Sequence, residues 1–336
     1  MQLQTGEDLL DLMRGFQIPS VLAAAAELDV FNATADTPQT AQELAVKLGC
    51  NERAMTILLD ALSSVGVLAK TGERYALASG LVPFLVDSSP QSVTAMLRHQ
   101  ANCVRRWARL AWAVQSGGPI DAGASVRGAE ADQAAFIEAM NVVSILVSEQ
   151  LIREINPGGF RCVLDIGGAS GTWTLNWLQA EPTARAILFD LPEVIPMARD
   201  RIERAGFSER VDLVAGDYNK DAMPRGADLV WVSAIIHQNS PTENRSLYGR
   251  IAEAIEPGGV VMIRDVVMEE SRTTPVAGAL FAVNMLVGTD GGSAFTLAEI
   301  REDLESAGFA DVELVRRDEG MHSVVSARWP VHSLPS

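Results

Sequence analysis

The chain has 336 residues, 48% of them hydrophobic, and 27 basic against 43 acidic side chains give it a net charge of -16. That is more length than one typical domain needs and ample apolar material for a core, while the acidic balance opposes any general attraction to nucleic acid or to an anionic membrane surface. Cys50, Cys103 and Cys162 are odd in number and free of Cys-x-x-Cys spacing, which argues against a disulfide framework or a zinc site and fits a reducing cytoplasm. The most apolar early run, residues 21–26, is too short to span a bilayer and lacks a basic flank, so neither signal peptide nor membrane anchor is expected.

Residues 1–88 read as helices closed by a small hairpin. Leu9, Leu10, Leu12, Met13 and Phe16 begin a helical periodicity that continues over 18–28, interrupted by Pro19. Residues 40–49 form a capped short helix with a glycine stop, Asn51 caps a second helix over 52–65, and two short strands flank Thr71-Gly72. Two helices and a hairpin in this order predict a winged helix, which usually suggests DNA. The second helix, however, carries Arg53 as its only basic residue beside Glu52 and Asp60, too few donors for phosphates and base edges. Its Met55, Ile57, Leu58, Leu59, Leu62 and Val65 suit contact with protein, so the module is expected to dimerise.

Residues 89–155 predict a helical linker, with a helix over 92–114 and a glycine-bearing loop over 115–130. Arg98, Arg105 and Arg109 fall along one face of that helix with Asn102 between them. They form a solvated basic face, or one of them, or His99, reaches a pocket to hold a carboxylate of the substrate.

From residue 156 onward strands and helices alternate. Residues 162–166, 186–190, 211–215, 229–233 and 260–265 are short apolar runs, separated by helical stretches such as 192–205 and 242–255. The pattern predicts an α/β domain, a parallel sheet with helices on both faces, whose ligands bind at the carboxyl ends of the strands. The first strand runs into Val163-Leu-Asp-Ile-Gly-Gly-Ala-Ser-Gly171, where Gly167, Gly168 and Gly171 let the backbone turn sharply against a ligand. A dinucleotide fingerprint fails here: with Gly167 as its first glycine, Ala169 and Thr172 occupy the other two places. The carboxylate of Asp165 ahead of the turn suits instead a nucleoside with a cationic amino-acid end and no phosphate, S-adenosylmethionine. Asp190 ends the second strand 19 residues past Gly171, placed to reach ribose hydroxyls or else to cap the next helix. At the end of the third, Asp217 can accept from an adenine amino group while Tyr218 stacks on the ring.

Together with Phe189-Asp-Leu-Pro-Glu193, Gly216-Asp217, the strand leading to His237, Pro257-Gly-Gly259 and Gly291-Gly292 with Thr296, that turn resembles the S-adenosylmethionine-dependent O-methyltransferases of the caffeic acid and hydroxyindole type. The resemblance covers nearly the whole chain, since those enzymes also carry an N-terminal winged-helix dimerisation domain. It implies a homodimer and a Rossmann-like methyltransferase domain over 156–336. By the same resemblance Gly167 and Gly171 would hold the methionine portion, Asp190 and Leu191 the ribose, and Asp217 and Tyr218 the adenine, with Ser233 and Ser144 as further cofactor neighbours. Phe136, Met140 and Met285 would wall the acceptor pocket, and His237 would be the general base with Asp265 as its carboxylate.

The chemistry explains why a base is useful. Methyl transfer is an in-line displacement at a carbon already activated by the sulfonium, so the protein aligns the partners and removes a proton from a weakly acidic hydroxyl, a task for an imidazole. Of the other histidines, His99 and His322 are possible pocket residues and His332 lies in the tail. Two departures stand out: Gln238 and Asn239 follow His237 where the family often has Asp-Trp, and Ala294 takes the place of a Glu that commonly orients the base. Three functions stay open: O-methylation with His237 as base; S-, N- or C-methylation by alignment alone; and a non-catalytic cofactor binder or DNA-binding regulator. No metal is expected, because the strand-end carboxylates are claimed by the nucleoside and no clustered ligand spacing remains.

Overall fold

The structure is a computed structural model that describes residues 4–331, so His332 lies outside the described residues. Packing divides the chain into two units that alternate along the sequence. One gathers the chain through Ala108 with Asp121–Val142, and the other gathers Arg109–Ile120 with everything from Val143 onward.

In the first unit a capping box between Thr40 and Glu43 starts the helix Ala41–Leu48, and Gly49 at φ 66 ends it. Asn51 caps the helix Glu52–Ser64. The hairpin Leu68–Thr71 and Arg74–Leu77 follows, with the short strand Gln39–Thr40 along its second arm. Leu44, Met55, Leu59, Leu62 and Tyr75 close a core over Ala25, Ala26 and Phe31. The helix Gly6–Arg14 buries nothing, leaving Leu9, Leu10 and Met13 exposed with Phe16 just beyond it. The helix expected over 92–114 is in fact two, Thr94–Trp107 and Leu110–Ser116, and Arg109 stands in the break rather than on a face shared with Arg98 and Arg105. The break coincides with the passage of the chain from one unit to the other, and no glycine or proline marks it.

The second unit is built on a seven-stranded sheet: β1 Cys162–Ile166, β2 Arg185–Asp190, β3 Val211–Ala215, β4 Leu229–Ser233, β5 Val260–Asp265, β6 Ala310–Arg316 and β7 Ser323–Arg328, in the order β6-β7-β5-β4-β1-β2-β3. The first five strands pair in parallel, and β7 and β6 add an antiparallel edge. Both faces are buried. Val163, Trp231 and Met262 pack under Ile152, Trp173 and Trp177, while Leu164, Val230 and Val261 on the opposite face pack under Leu247, Ile251 and Ile300.

Because side chains alternate along a strand, the same parity assigns Asp165, Asp190, Ser233 and Arg264 to the first face and Asp265 to the second. Register fixes their order. Ser233 lies opposite Arg264, Val232 opposite Ile166, Ile166 opposite Phe189 and Asp190 opposite Ala215. One row across the carboxyl ends therefore runs Ala215, Asp190, Gly167, Ser233, Arg264. The chain order reverses between β1 and β4, the place where sheets of this kind open a ligand crevice. Among the described residues no single helix is long and apolar enough to cross a membrane.

Candidate functional site

The turn after β1 is closed on its inner side. Gly167 has φ 65, and a Cβ there would come within 2.7 Å of Ile235 Cδ1; a Cβ on Gly168 would meet Leu188 Cγ at 2.6 Å. Ala169 is also left-handed, at φ 46, and is held by donating its N–H to Asp190 Oδ2 at 2.8 Å. Asp190 Oδ1 accepts from Leu191 N–H at 2.7 Å, so this carboxylate joins the end of β2 to the turn rather than capping the following helix. Burial pushes its pKa up, and its remaining lone pairs can accept from hydroxyl groups.

Asp165 is only 1% exposed and accepts from Thr174 Oγ1 at 2.6 Å, lying beneath Gly168. Burial pushes its carboxyl up to about 7, against the Thr174 hydrogen bond and with the nearby Asp190 adding to the rise. This corrects the expected role: the side chain does not face a cationic ligand group but ties β1 to the helix Thr172–Ala180 and acts on a ligand through the turn.

Beyond β3, Asp217 Oδ1 accepts from Asn219 N–H at 2.9 Å and Oδ2 pairs with Lys220 at 2.8 Å, whose hydrogen bond holds the carboxyl below its usual range. Tyr218 packs half-buried against the second-face core. Arg250, which the sequence did not single out, donates to the carbonyls of Asn219 and Asp221 and so pins this loop to the helix Pro241–Ala254. Leu191 is exposed beside Asp190, Ser144 is half-buried near the end of the helix Ala129–Ile145, and Met285 is buried in the helix Val276–Gly288. These groups fit a nucleoside with no phosphate: acceptors line the β2 and β3 ends, and the glycine turn offers a close backbone approach under which two carboxylates would repel a phosphate.

His237 sits on a single 3-10 turn, Ile236–Gln238, entered through Ala234 at φ 58. It is 6% exposed, and its Nδ1 lies 2.9 Å from both oxygens of Asp265, which also accepts from Val266 N–H at 2.7 Å. A carboxylate at Nδ1 keeps the hydrogen of the neutral imidazole there and leaves the lone pair on Nε2, the form a general base needs. Phe281 meets the ring edge-on at 4.8 Å. Ala294 packs against Val266 and Met268, so one carboxylate orients this histidine. Where Asp-Trp was absent, Asn239 and Asn244 lock the turn instead, Asn239 Nδ2 donating to Asn244 Oδ1 and Asn244 Nδ2 to Ile236 O, each at 3.0 Å. The glycine pair has a steric reason as well: a Cβ on Gly292 would strike His237 O at 2.4 Å, and Ser293 N–H donates to that same oxygen.

In the first unit, His99 and Phe136 come together with ring centroids 5.2 Å apart, and His99 Nε2 lies 3.7 Å from Cys103 Sγ. Burial, then the charge of Arg106, lowers the His99 pKa. Met140 is half-buried one turn along from Phe136. Arg98 is not available as a substrate-holding group. Its Nε donates to Ala26 O at 3.1 Å and its Nη2 lies 3.0 Å from Asp87 and 3.3 Å from Asp29. Arg105 is engaged by Glu27, Asn102 and Asp132. These two arginines are thus neither a solvated face nor free for an acceptor; carboxylates of neighbouring elements pair with both, although Nε of Arg105 is buried with no hydrogen-bond partner among the described residues. Among the described residues no group of three or more His, Cys, Asp or Glu side chains could hold a metal ion.

Comparison with known proteins agrees with this geometry. The model of an O-methyltransferase domain matches residues 107–310, and that of an O-methyltransferase dimerisation domain matches residues 10–80. The 3-hydroxy-5-methyl-1-naphthoate 3-O-methyltransferase of Streptomyces sahachiroi is 32% identical over 95% of this chain and 94% of its own. The N,N-dimethyltransferase OxyT of Streptomyces rimosus is 30% identical over 90% of each. The crystal structure of human N-acetylserotonin methyltransferase in complex with SAM superposes with a TM-score of 0.80 at 26% identity, covering 98% of this chain and 99% of that one.

Proposed function

This chain belongs to the O-methyltransferase family, as an S-adenosylmethionine-dependent enzyme of small metabolites, and on that premise we propose that it methylates a hydroxyl of an aromatic acceptor with His237 as general base. The observation that carries the proposal is the buried Asp265 carboxylate at Nδ1 of His237, which leaves the basic lone pair on Nε2. S-Adenosylmethionine supplies an activated methyl group on a sulfonium. Gly167 and Gly171 would seat its methionine portion, Asp190 and Leu191 the ribose, Asp217 and Tyr218 the adenine, with Ser233 and Ser144 alongside. For the acceptor the residues proposed are Phe136, Met140 and His99 of the first unit and Met285 of the second. By role the chain then divides into residues 1–88 for dimerisation, 89–155 for the acceptor and 156–336 for the cofactor.

A His237→Gln variant that still binds S-adenosylhomocysteine by calorimetry but loses methyl transfer to hydroxynaphthoates would support the base; full activity would remove it. A second reading, N-methylation by alignment alone, is favoured by the likeness to an N,N-dimethyltransferase and by Ala294 at the place of the second carboxylate. An amine acceptor needs no base once it is neutral, so under that reading the same variant keeps its rate.

The dimerisation match and the exposed Leu9, Leu10, Met13 and Phe16 support a homodimer formed through a winged-helix module. The net charge of -16 supports an enzyme that binds neither nucleic acid nor membranes, and the three scattered cysteines support a cytoplasmic one.

A further inference from the structure

Arg264 is a buried cation with no carboxylate hydrogen-bonded to it among the described residues. It is 3% exposed, stacks 4.8 Å above the Trp173 ring, and has no carboxylate within ion-pair distance among the described residues. Its Nε and Nη2 both donate to His322 Nδ1, at 3.2 and 2.9 Å, and its Nη1 donates to Ser233 Oγ at 2.8 Å. A guanidinium out of water with no paired anion is costly, and burial draws its pKa down to about 10 against the more distant pull of Asp265 and Asp318. Its neighbour Asp265 is spent on His237, on the other face of the sheet.

The row across the strand ends shows where an anion would lie. Under the reading above, on which this inference rests, adenine sits at the β3 end and ribose at Asp190 on β2. The methionine portion must then extend over Gly167 toward β4 and β5, where the row continues with Ser233 and Arg264. The terminus of that portion is a carboxylate, and the one strand end in the row that carries a cation is β5. Because Ser233 Oγ accepts from Arg264, its own hydrogen is free to donate outward. The neutral form of His322 is needed to accept from Arg264, so the chain of donors runs in one direction, from Arg264 through the half-buried Ser233 to the crevice.

We propose that Ser233 donates to the α-carboxylate of the bound cofactor, and that Arg264 is the positioning residue that fixes this donor and supplies the compensating charge. The test compares S-adenosylhomocysteine with its decarboxylated counterpart by calorimetry on the full chain. Ser233→Ala and Arg264→Met should each weaken S-adenosylhomocysteine about ten- to a hundredfold, the loss of a charge-assisted hydrogen bond, and leave the decarboxylated compound within about threefold. Arg264→Lys should restore part of the preference. A merely structural arginine would weaken both compounds alike, and that result overturns the proposal, as does a parent enzyme with no preference between them. Should Arg264→Met fail to fold, Ser233→Ala, which leaves the arginine in place, gives the same discrimination. A parent that binds neither compound overturns the cofactor placement itself, an outcome distinct from equal binding of both.

Discussion

Replacing Asp265 with Asn isolates the contribution of the His237 orienter, since the side chains are nearly isosteric and the site is 1% exposed. The carboxylate accepts from three donors, His237 Nδ1–H, the His237 backbone N–H and Val266 N–H, whereas an amide offers one oxygen and one NH2 group. Val266 N–H is fixed by the backbone and retains the oxygen. The NH2 then takes the place of Oδ2, 2.9 Å from Nδ1, and donates to the ring where the carboxylate accepted, so the hold on the Nδ1–H tautomer is lost and the form with its hydrogen on Nε2, which has no lone pair toward the acceptor, is populated. General-base catalysis contributes on the order of 10²–10⁴ in rate, equivalent to about 3–5 kcal/mol of barrier. At pH 7 kcat should therefore fall by roughly that factor while S-adenosylhomocysteine affinity holds. The assay is release of S-adenosylhomocysteine with a phenolic or naphtholic acceptor across a pH series. The variant should gain rate with pH up to the acceptor's own ionisation, near 10 for a phenol, because an ionised acceptor needs no base. A kcat within about threefold of the parent at pH 7, or a deficit that does not shrink at high pH, would refute the reasoning.

Asp165 makes a separate claim on stability. Its folded pKa of about 7 lies above the ordinary 3.8, so the native state holds the proton more tightly, and the stability it contributes is full below the unfolded pKa and lost as pH rises through about 7. That interval corresponds to ~4 kcal/mol. Asp165→Asn, which can still accept from Thr174, should exceed the parent in urea by about 1.6 kcal/mol at pH 5 and by about 4 kcal/mol at pH 8; a gap independent of pH would contradict this. Arg98→Leu should cost the protein ~2 kcal/mol through its lost charge-assisted bonds to Asp29 and Asp87 and leave the acceptor KM of the folded enzyme unchanged. A raised KM in steady-state kinetics would return Arg98 to the pocket.

The parallel strands β1, β2, β4 and β5 were legible because they are buried on both faces and read as largely apolar runs, and β3, partly exposed and carrying Asp212, was legible by its apolar residues between helical stretches. The antiparallel edge was not, since β6 alternates charged and apolar residues and its carboxylates and arginine mimic a solvated helix or loop. The glycine turn could be read for its shape but not for what lies under it: one sequence position separates a carboxylate that faces a ligand from one buried at 1% exposure, and only the packing of Thr174 and Leu188 settles which Asp165 is. Arg98 and Arg105 misled for a related reason, because their partners Asp29 and Glu27 lie 69 and 78 residues away in sequence. Arg264 had a visible signal, the one basic residue in the run Val260–Asp265, yet its meaning depends on the register that sets it beside Ser233.

Ala169 and Ala234, one on each lip of the crevice, both adopt a backbone conformation that an L-residue avoids by about 1–2 kcal/mol. A peptide cut from either segment would relax out of that shape, and grafting the nine residues from Val163 to Gly171 onto another strand would not carry recognition with them. The two lips are moulded from outside, by the Asp190 carboxylate on one and by the bond from Ala234 N–H to Arg264 O on the other. Portability belongs to the whole sheet edge, so an engineer who wants this site elsewhere must move β1, β2, β4 and β5 together.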